Sequence, residues 1–131
     1  RALILSLIAT GNLAEAERAL KQASLPPDGG GDLLRALILY TKHDDEAALG
    51  LLRQESERNP NNPRVLNLLG VTLYDRHRFA DAVPIFQRAM ELAPDDATIA
   101  ANLIHARQAA AAATLMEQAT TVQNNPKALQ N

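Results

Sequence analysis

Apolar residues recur along this chain at steps of three and four, and short polar turns interrupt them, which is the pattern of amphipathic helices joined into hairpins. The clearest stretch runs from Pro63 to Pro94. Leu66, Leu69, Gly70 and Leu73 lie on one face of a first predicted helix, and Ala82, Phe86 and Ala89 on one face of a second. Pro94 ends the second helix, because the residue before a proline is pushed out of the α region. Gly70 and Ala82 are small, so they are expected where the two helix axes approach closely, with Leu66, Leu69, Leu73 and Phe86 packed around that contact. Pro84 is expected near the first turn of its helix, where a missing N–H costs little. After Pro94, Asp95-Asp96 reads as an N-cap, and Ile99, Leu103, Ala106, Ala110 and Ala113 mark one face of a long helix that meets no turn signal until Asn124-Asn125-Pro126.

Sliding the chain against itself shows that the pattern repeats. A shift of 34 residues superposes Leu39-Tyr40 on Leu73-Tyr74, Lys42-His43 on Arg76-His77, Ala48 on Ala82, Leu52 on Phe86 and Asn59-Pro60 on Ala93-Pro94. The earlier copy, roughly residues 32–60, puts Arg35 where a large apolar residue is expected; moving its first helix by one residue puts Leu34 and Ile38 there instead, and the pattern leaves both registers open. Residues 1–24 fit a further, partial hairpin around a Gly11-Asn12 turn, with Ala16, Leu20 and Ala23 at the small, large and small positions. Its first helix, an apolar run from Ala2 to Ala9, lacks an opening turn. A loose connection from Ser24 to Gly31 separates this hairpin from the next.

The residues between Pro63 and Pro94, together with the 34-residue echo, resemble the tetratricopeptide repeat family. The resemblance implies an all-α, right-handed solenoid of about three helix-turn-helix hairpins closed by a long C-terminal capping helix. In those terms residues 1–131 form a single domain: a partial repeat over 1–24, repeats over 32–60 and 63–94, a closing helix over 96–122 and a tail over 123–131. The chain opens on Arg1, without a methionine and inside a helical pattern, so a segment of a longer or processed protein is expected.

Composition narrows the function. The chain has 131 residues, and its apolar content is mostly Ala and Leu, which favours closely packed helices. A formal net charge of −2 and a pI near 5.9 supply no basic surface for phosphate backbones, so nucleic acid is not an expected partner. The absence of cysteine excludes disulfides, thiolate chemistry and Cys-ligated zinc, and is compatible with either redox compartment. The Ala2–Ala9 run is too short to span a bilayer, so direct membrane insertion is not expected.

Candidate chemistry has a structural explanation at each position. His43 and His77 stand 34 residues apart at the hairpin bends and read as exposed turn residues. Asp44-Asp45-Glu46 and Asp95-Asp96 precede helices, where carboxylates cap backbone N–H groups. Gly29-Gly30-Gly31 has no following Lys-Ser or Lys-Thr and reads as a flexible connection rather than a phosphate loop. We therefore expect no enzyme activity, no metal and no cofactor.

The resemblance implies a protein-interaction module whose first helices line a concave groove that binds a peptide or helix of a partner protein. The positions it assigns to that groove are Leu33, Leu37 and Tyr40; Arg64, Asn67, Val71, Tyr74 and Asp75, with Leu68; and Ala101, Asn102, His105 and Gln108, with Thr98. One subfamily clamps the C-terminal carboxylate of chaperones, but its clamp positions fall here on Arg1, Leu5, Leu34, Arg64 and Leu68. Three leucines replace polar groups, so an apolar or helical ligand is expected. The alternative is self-association through the C-terminal helix, where Leu115, Met116, Ala119 and Val122 continue the apolar content beyond the reach of one hairpin.

Overall fold

The computed structural model describes residues 2–25, 30–125 and 127. The described residues form helices α1 (Ala2–Ala9), α2 (Leu13–Gln22), α3 (Gly30–Thr41), α4 (Asp45–Arg58), α5 (Pro63–Asp75), α6 (Phe79–Leu92) and α7 (Ala97–Asn124), with no strand among them. Consecutive helices pack as hairpins α1–α2, α3–α4 and α5–α6, and α7 lies against α6 and α5. The result is an all-α solenoid.

The hairpins share one turn. Gly11, His43 and His77 adopt φ of 83°, 63° and 58°, the left-handed region. At each, the turn residue's N–H donates to the carbonyl three residues back (Ile8, Tyr40 and Tyr74, 2.9–3.1 Å), and the next N–H donates to the carbonyl five back (Leu7, Leu39 and Leu73, 2.8–2.9 Å). These bonds satisfy the orphan carbonyls at the end of each first helix in the manner of a Schellman motif. Gly11 takes this conformation without a Cβ penalty, whereas the two exposed histidines carry one.

Counting from the turn residue aligns the core. Ala16, Ala48 and Ala82 stand five positions after it, and all three are fully buried. Nine positions after it come Leu20, Leu52 and Phe86, each buried, and seven positions before it Ile4, Ala36 and Gly70; Ile4 and Leu20 share one core cluster, Ala36 and Leu52 another, and Gly70 lies against Phe86. The sizes are complementary where the largest side chain sits: a Cβ on Gly70 would lie 2.6 Å from Phe86 Cε1. This alignment settles the α3 register. Ala36 corresponds to Gly70, so the 34-residue register holds, and Arg35 is exposed with its guanidinium 2.7 Å from Asp32. Leu34 and Ile38 are buried against α1 and α2, in a cluster with Ile4, Ile8, Ala16 and Leu20.

Several local expectations are corrected. Ala23 is exposed and lies past the end of α2, so it is not a packing position. Gly30 and Gly31 belong to the first turn of α3 rather than to a flexible connection, while Pro26–Gly29 fall outside the described residues. Pro84 is the sixth residue of α6, beyond the first turn; it is exposed, so water can reach the Ala80 carbonyl it leaves unpaired. Asp96 caps α7 through its carboxylate, which accepts from the N–H groups of Thr98 (3.0 Å) and Ile99 (3.1 Å). Asp44 occupies the N-cap of α4 without making such a bond, and Asn62, not anticipated, caps α5 by accepting from Arg64 N–H at 3.1 Å and Val65 N–H at 3.5 Å.

The closing helix is longer than its support. Ile99, Leu103 and Ala106 are buried, Ala110 and Ala113 are half-buried, and beyond them Leu115 and Met116 are 65% and 72% exposed. At 1.5 Å per residue, the 28 residues of α7 extend about 42 Å, twice the length of the 14-residue α6 beneath it. Among the described residues no helix is long and apolar enough to cross a membrane.

Candidate interaction groove

The first helices α1, α3 and α5 lie side by side with α7 beside α5, and this face is the candidate groove. Each buries one face against its second helix or its neighbours and leaves the opposite face less buried. On α5 the buried side carries Val65, Leu66, Leu69, Gly70, Thr72 and Leu73, which leaves Arg64, Asn67, Leu68, Val71, Tyr74 and Asp75 on the other. The Asn62 cap and Pro63 at the first helical position fix where α5 begins and therefore which residues face which way.

Two clefts result. The first, of about 270 Å³, lies between α1, α3 and α5 and is walled by Leu5, Leu33, Leu34, Leu37 and Leu68, with Arg64 and Asn67 as its polar members. The second, of about 210 Å³, lies between α5 and α7; Val71, Tyr74, Asp75, Asn102 and His105 surround it, with the Phe86 ring also in its wall. Asn102 Nδ2 donates to Asn67 Oδ1 at 2.9 Å, so a bridge between α5 and α7 stands where the clefts meet. The Tyr40 hydroxyl donates to the Asp75 carboxylate and ties α3 to α5. Burial, reinforced by this hydrogen bond and the negative charge of Asp75, pushes the Tyr40 phenol up to about 12. The Tyr74 ring packs edge-on against Phe79 with centroids 5.0 Å apart, which holds it at the cleft wall.

The structure brings nine of the twelve residues assigned to the groove from sequence into these clefts: Leu33, Leu37, Arg64 and Asn67 in the first, and Val71, Tyr74, Asp75, Asn102 and His105 in the second. Tyr40 stands between them through its bond to Asp75. Ala101 and Gln108 are exposed on α7 but wall neither cleft. Leu33 and Leu37 are half-buried: each packs against a core cluster with part of its surface and lines the cleft with the rest. The sequence pattern gives Leu5 only as a clamp position. It stands six residues before its turn, as do Leu37 and Val71, so counting back from Gly11 finds it. Arg1 falls outside the described residues.

The histidines at the bends are elsewhere. His43 and His77 are exposed at the hairpin ends, and the His77 ring contacts Phe79 edge-on at 5.5 Å. Among the described residues no three His, Asp or Glu side chains gather as a metal site.

Fold and groove together define an all-α solenoid with a lined inner face. No protein-family model matches the sequence, and no curated protein does. Among solved structures, the fold is shared with MamA. MamA of AMB-1 superposes in one crystal form with a TM-score of 0.62 and 24% identity, over 81% of this chain and 64% of that one. Another form of the same protein gives 0.63 and 22% identity over 94% and 70%. MamA of MSR-1 gives 0.62 and 22% identity over 81% and 62%. The chain thus spans slightly under two-thirds of the first of these structures, and at such identities the likeness establishes the fold alone.

Proposed function

We propose that this chain is a protein-interaction module of the tetratricopeptide kind, and that its groove binds a peptide or helix of a partner protein rather than performing catalysis. The observation that carries the reading is the first cleft. Five leucines from three helices wall one depression, and a single guanidinium, Arg64, stands in it. Apolar surface left open between packed helices is the acceptor for an amphipathic segment, whose anchors sit three and four residues apart. The second cleft, with Tyr74, Asp75, Asn102 and His105, continues the same face with hydrogen-bonding groups. A ligand matched to both has apolar anchors at one end, an acidic residue near Arg64, and a polar continuation. Leu5, Leu34 and Leu68, at three of the positions that correspond to the carboxylate clamp, argue against a carboxylate-capped tail as the main determinant.

The test is selection from a displayed library of amphipathic peptides, followed by Leu37→Asp and Leu68→Asp. Both substitutions put a carboxylate among the apolar walls of the first cleft, where it also competes with the ligand's acidic residue for Arg64. Binding of the selected peptides should fall at least tenfold while the helical circular-dichroism spectrum stays unchanged. Undiminished binding to both variants defeats the reading.

A second reading, self-association through α7, rests on the overhang in which Leu115, Met116 and Ala119 are exposed. Light scattering of the chain with and without residues 111–131 decides it: a monomer in both cases removes it.

A further inference from the structure

On the side of α3 away from the groove, the junction between the first and second hairpins contains a hollow of about 230 Å³. Its origin lies in two residues. Six positions after each turn stand Glu17, Leu49 and Val83, and Arg35, Leu69 and Leu103 follow one another at 34-residue intervals. At the later junctions these pairs are apolar: Leu49, Leu69 and Leu103 are buried in the main core and Val83 packs against it. At the first junction both are charged and both are drawn outward, Glu17 to the Lys42 ammonium and Arg35 to Asp32. The apolar wall they would have covered, formed by Leu20, Ile38, Leu39 and Leu51, is left open.

The charges at the mouth are unequal. The carboxylate of Glu17 is held below the usual range, chiefly by its hydrogen bond from Lys42, and so remains ionised and paired. Arg35 shares the Asp32 carboxylate with Arg58, at 2.7 and 3.1 Å. Lys21, which also lines the hollow, acts on the same Glu17 carboxylate from one turn further along α2, so that carboxylate is shared between two ammonium groups and matches Lys21 only in part. The hollow thus combines apolar walls, room for more than a benzene-sized group, which a cavity of about 150 Å³ already accepts, and an excess of positive charge at its mouth, where Lys21, Lys42, Arg35 and Arg58 share the carboxylates of Glu17 and Asp32.

We infer that this hollow is a binding site for a small amphipathic carboxylate, with an alkyl or aryl body on Leu20, Ile38, Leu39 and Leu51 and its carboxylate toward Lys21. The site is independent of the groove, so either can fail alone. Binding is non-covalent and weak: for a ligand of about ten heavy atoms, affinities near a millimolar follow from ordinary ligand efficiencies.

The experiment titrates the full chain with 3-phenylpropionate and, separately, 3-phenylpropanol at low salt, and follows side-chain methyl resonances. The acid should saturate with shifts at Leu20, Ile38, Leu39 and Leu51, and bind about threefold more tightly than the alcohol. Lys21→Gln, at an exposed position, should erase that preference. The paired substitution Glu17→Leu with Arg35→Leu, which restores the apolar pair of the later junctions, should abolish binding and raise Tm. Absence of saturable shifts up to about ten times the expected dissociation constant overturns the inference. So do shifts confined to the groove leucines, equal affinity for acid and alcohol, or binding that survives the paired substitution in a folded protein. If the paired variant does not fold, the Lys21→Gln comparison decides alone.

Discussion

The same substitution, glycine to alanine inside a helix, should have opposite effects at Gly50 and Gly70. In α4, Gly50 is exposed, and a Cβ there meets nothing within 4 Å. Helix propensity then dominates, and Gly50→Ala should stabilise by up to about 1 kcal/mol. In α5, a Cβ on Gly70 meets three atoms of one buried ring: Phe86 Cε1 at 2.6 Å, Cζ at 2.7 Å and Cδ1 at 2.9 Å. Phe86 is 1% exposed and packed in the main core, so it cannot swing aside without displacing its neighbours. Overpacking of this kind costs about 1–3 kcal/mol, and the severity of these contacts puts it in the upper half. Subtracting the same propensity gain leaves Gly70→Ala destabilising by about 1–2 kcal/mol. For a domain of this size that corresponds to a fall in Tm of roughly 4–8 °C. Urea unfolding followed by circular dichroism measures both changes. The second hairpin also supplies a rescue, since it carries Ala36 and Leu52 in one core cluster at the equivalent positions. Gly70→Ala combined with Phe86→Leu should cost less than the sum of the single changes, a coupling of about 1 kcal/mol. If Gly70→Ala were neutral, or matched Gly50→Ala in sign, the account of size-complementary hairpin packing would be refuted.

The remaining predictions concern caps, turns and ionisation. Asp96→Ala should destabilise by about 1 kcal/mol because it frees two N–H groups of α7, whereas Asp44→Ala, which breaks no side-chain cap, should cost only a few tenths; parallel urea melts compare them. His43→Gly should stabilise by about 0.5–1 kcal/mol by relieving a left-handed backbone, and His77→Gly should gain less because it also loses the contact with Phe79. Tyr40 favours its neutral form in the folded state, so its contribution to stability is fully present below the unfolded value near 10 and is lost as pH rises through about 12. Absorbance of the phenolate should show a titration step near 12 that disappears in Tyr40→Phe; persistence of that step assigns it to another group.

Much of this molecule is legible in its sequence because helical periodicity and the size of a side chain are local properties. Leu66, Gly70, Ala82 and Phe86 announce a hairpin, and the face opposite them on the same helix announces the groove, since 3.6 residues per turn leave few choices. The places that resisted are those where a charge stands at an apolar position. Arg35 obscured the register of α3 because its solution is tertiary: it turns outward to Asp32, and Leu34 and Ile38 pack instead against the first hairpin. Glu55 is a second case. It stands where the third hairpin has Ala89, yet it is buried, with Oε1 accepting from Asn59 and Oε2 left to Arg58 at 3.6 Å. Leu5 was hidden because the first hairpin is offset by two residues, its turn preceding the second by 32 rather than 34. Only the shared left-handed turn residue reveals that offset. The side-chain pairings Asn67–Asn102 and Tyr40–Asp75 join residues 35 apart and depend on how successive hairpins stack, which no single repeat encodes.

The central claim is that the inner face of the solenoid binds a partner segment. Its most direct test is methyl and imidazole resonance mapping of the chain with a library-selected amphipathic peptide. The account predicts saturable shifts at Leu5, Leu33, Leu37 and Leu68, extending to His105. Shifts confined to Leu115 and Met116 on the α7 overhang, or absent from the leucine cleft, would contradict it.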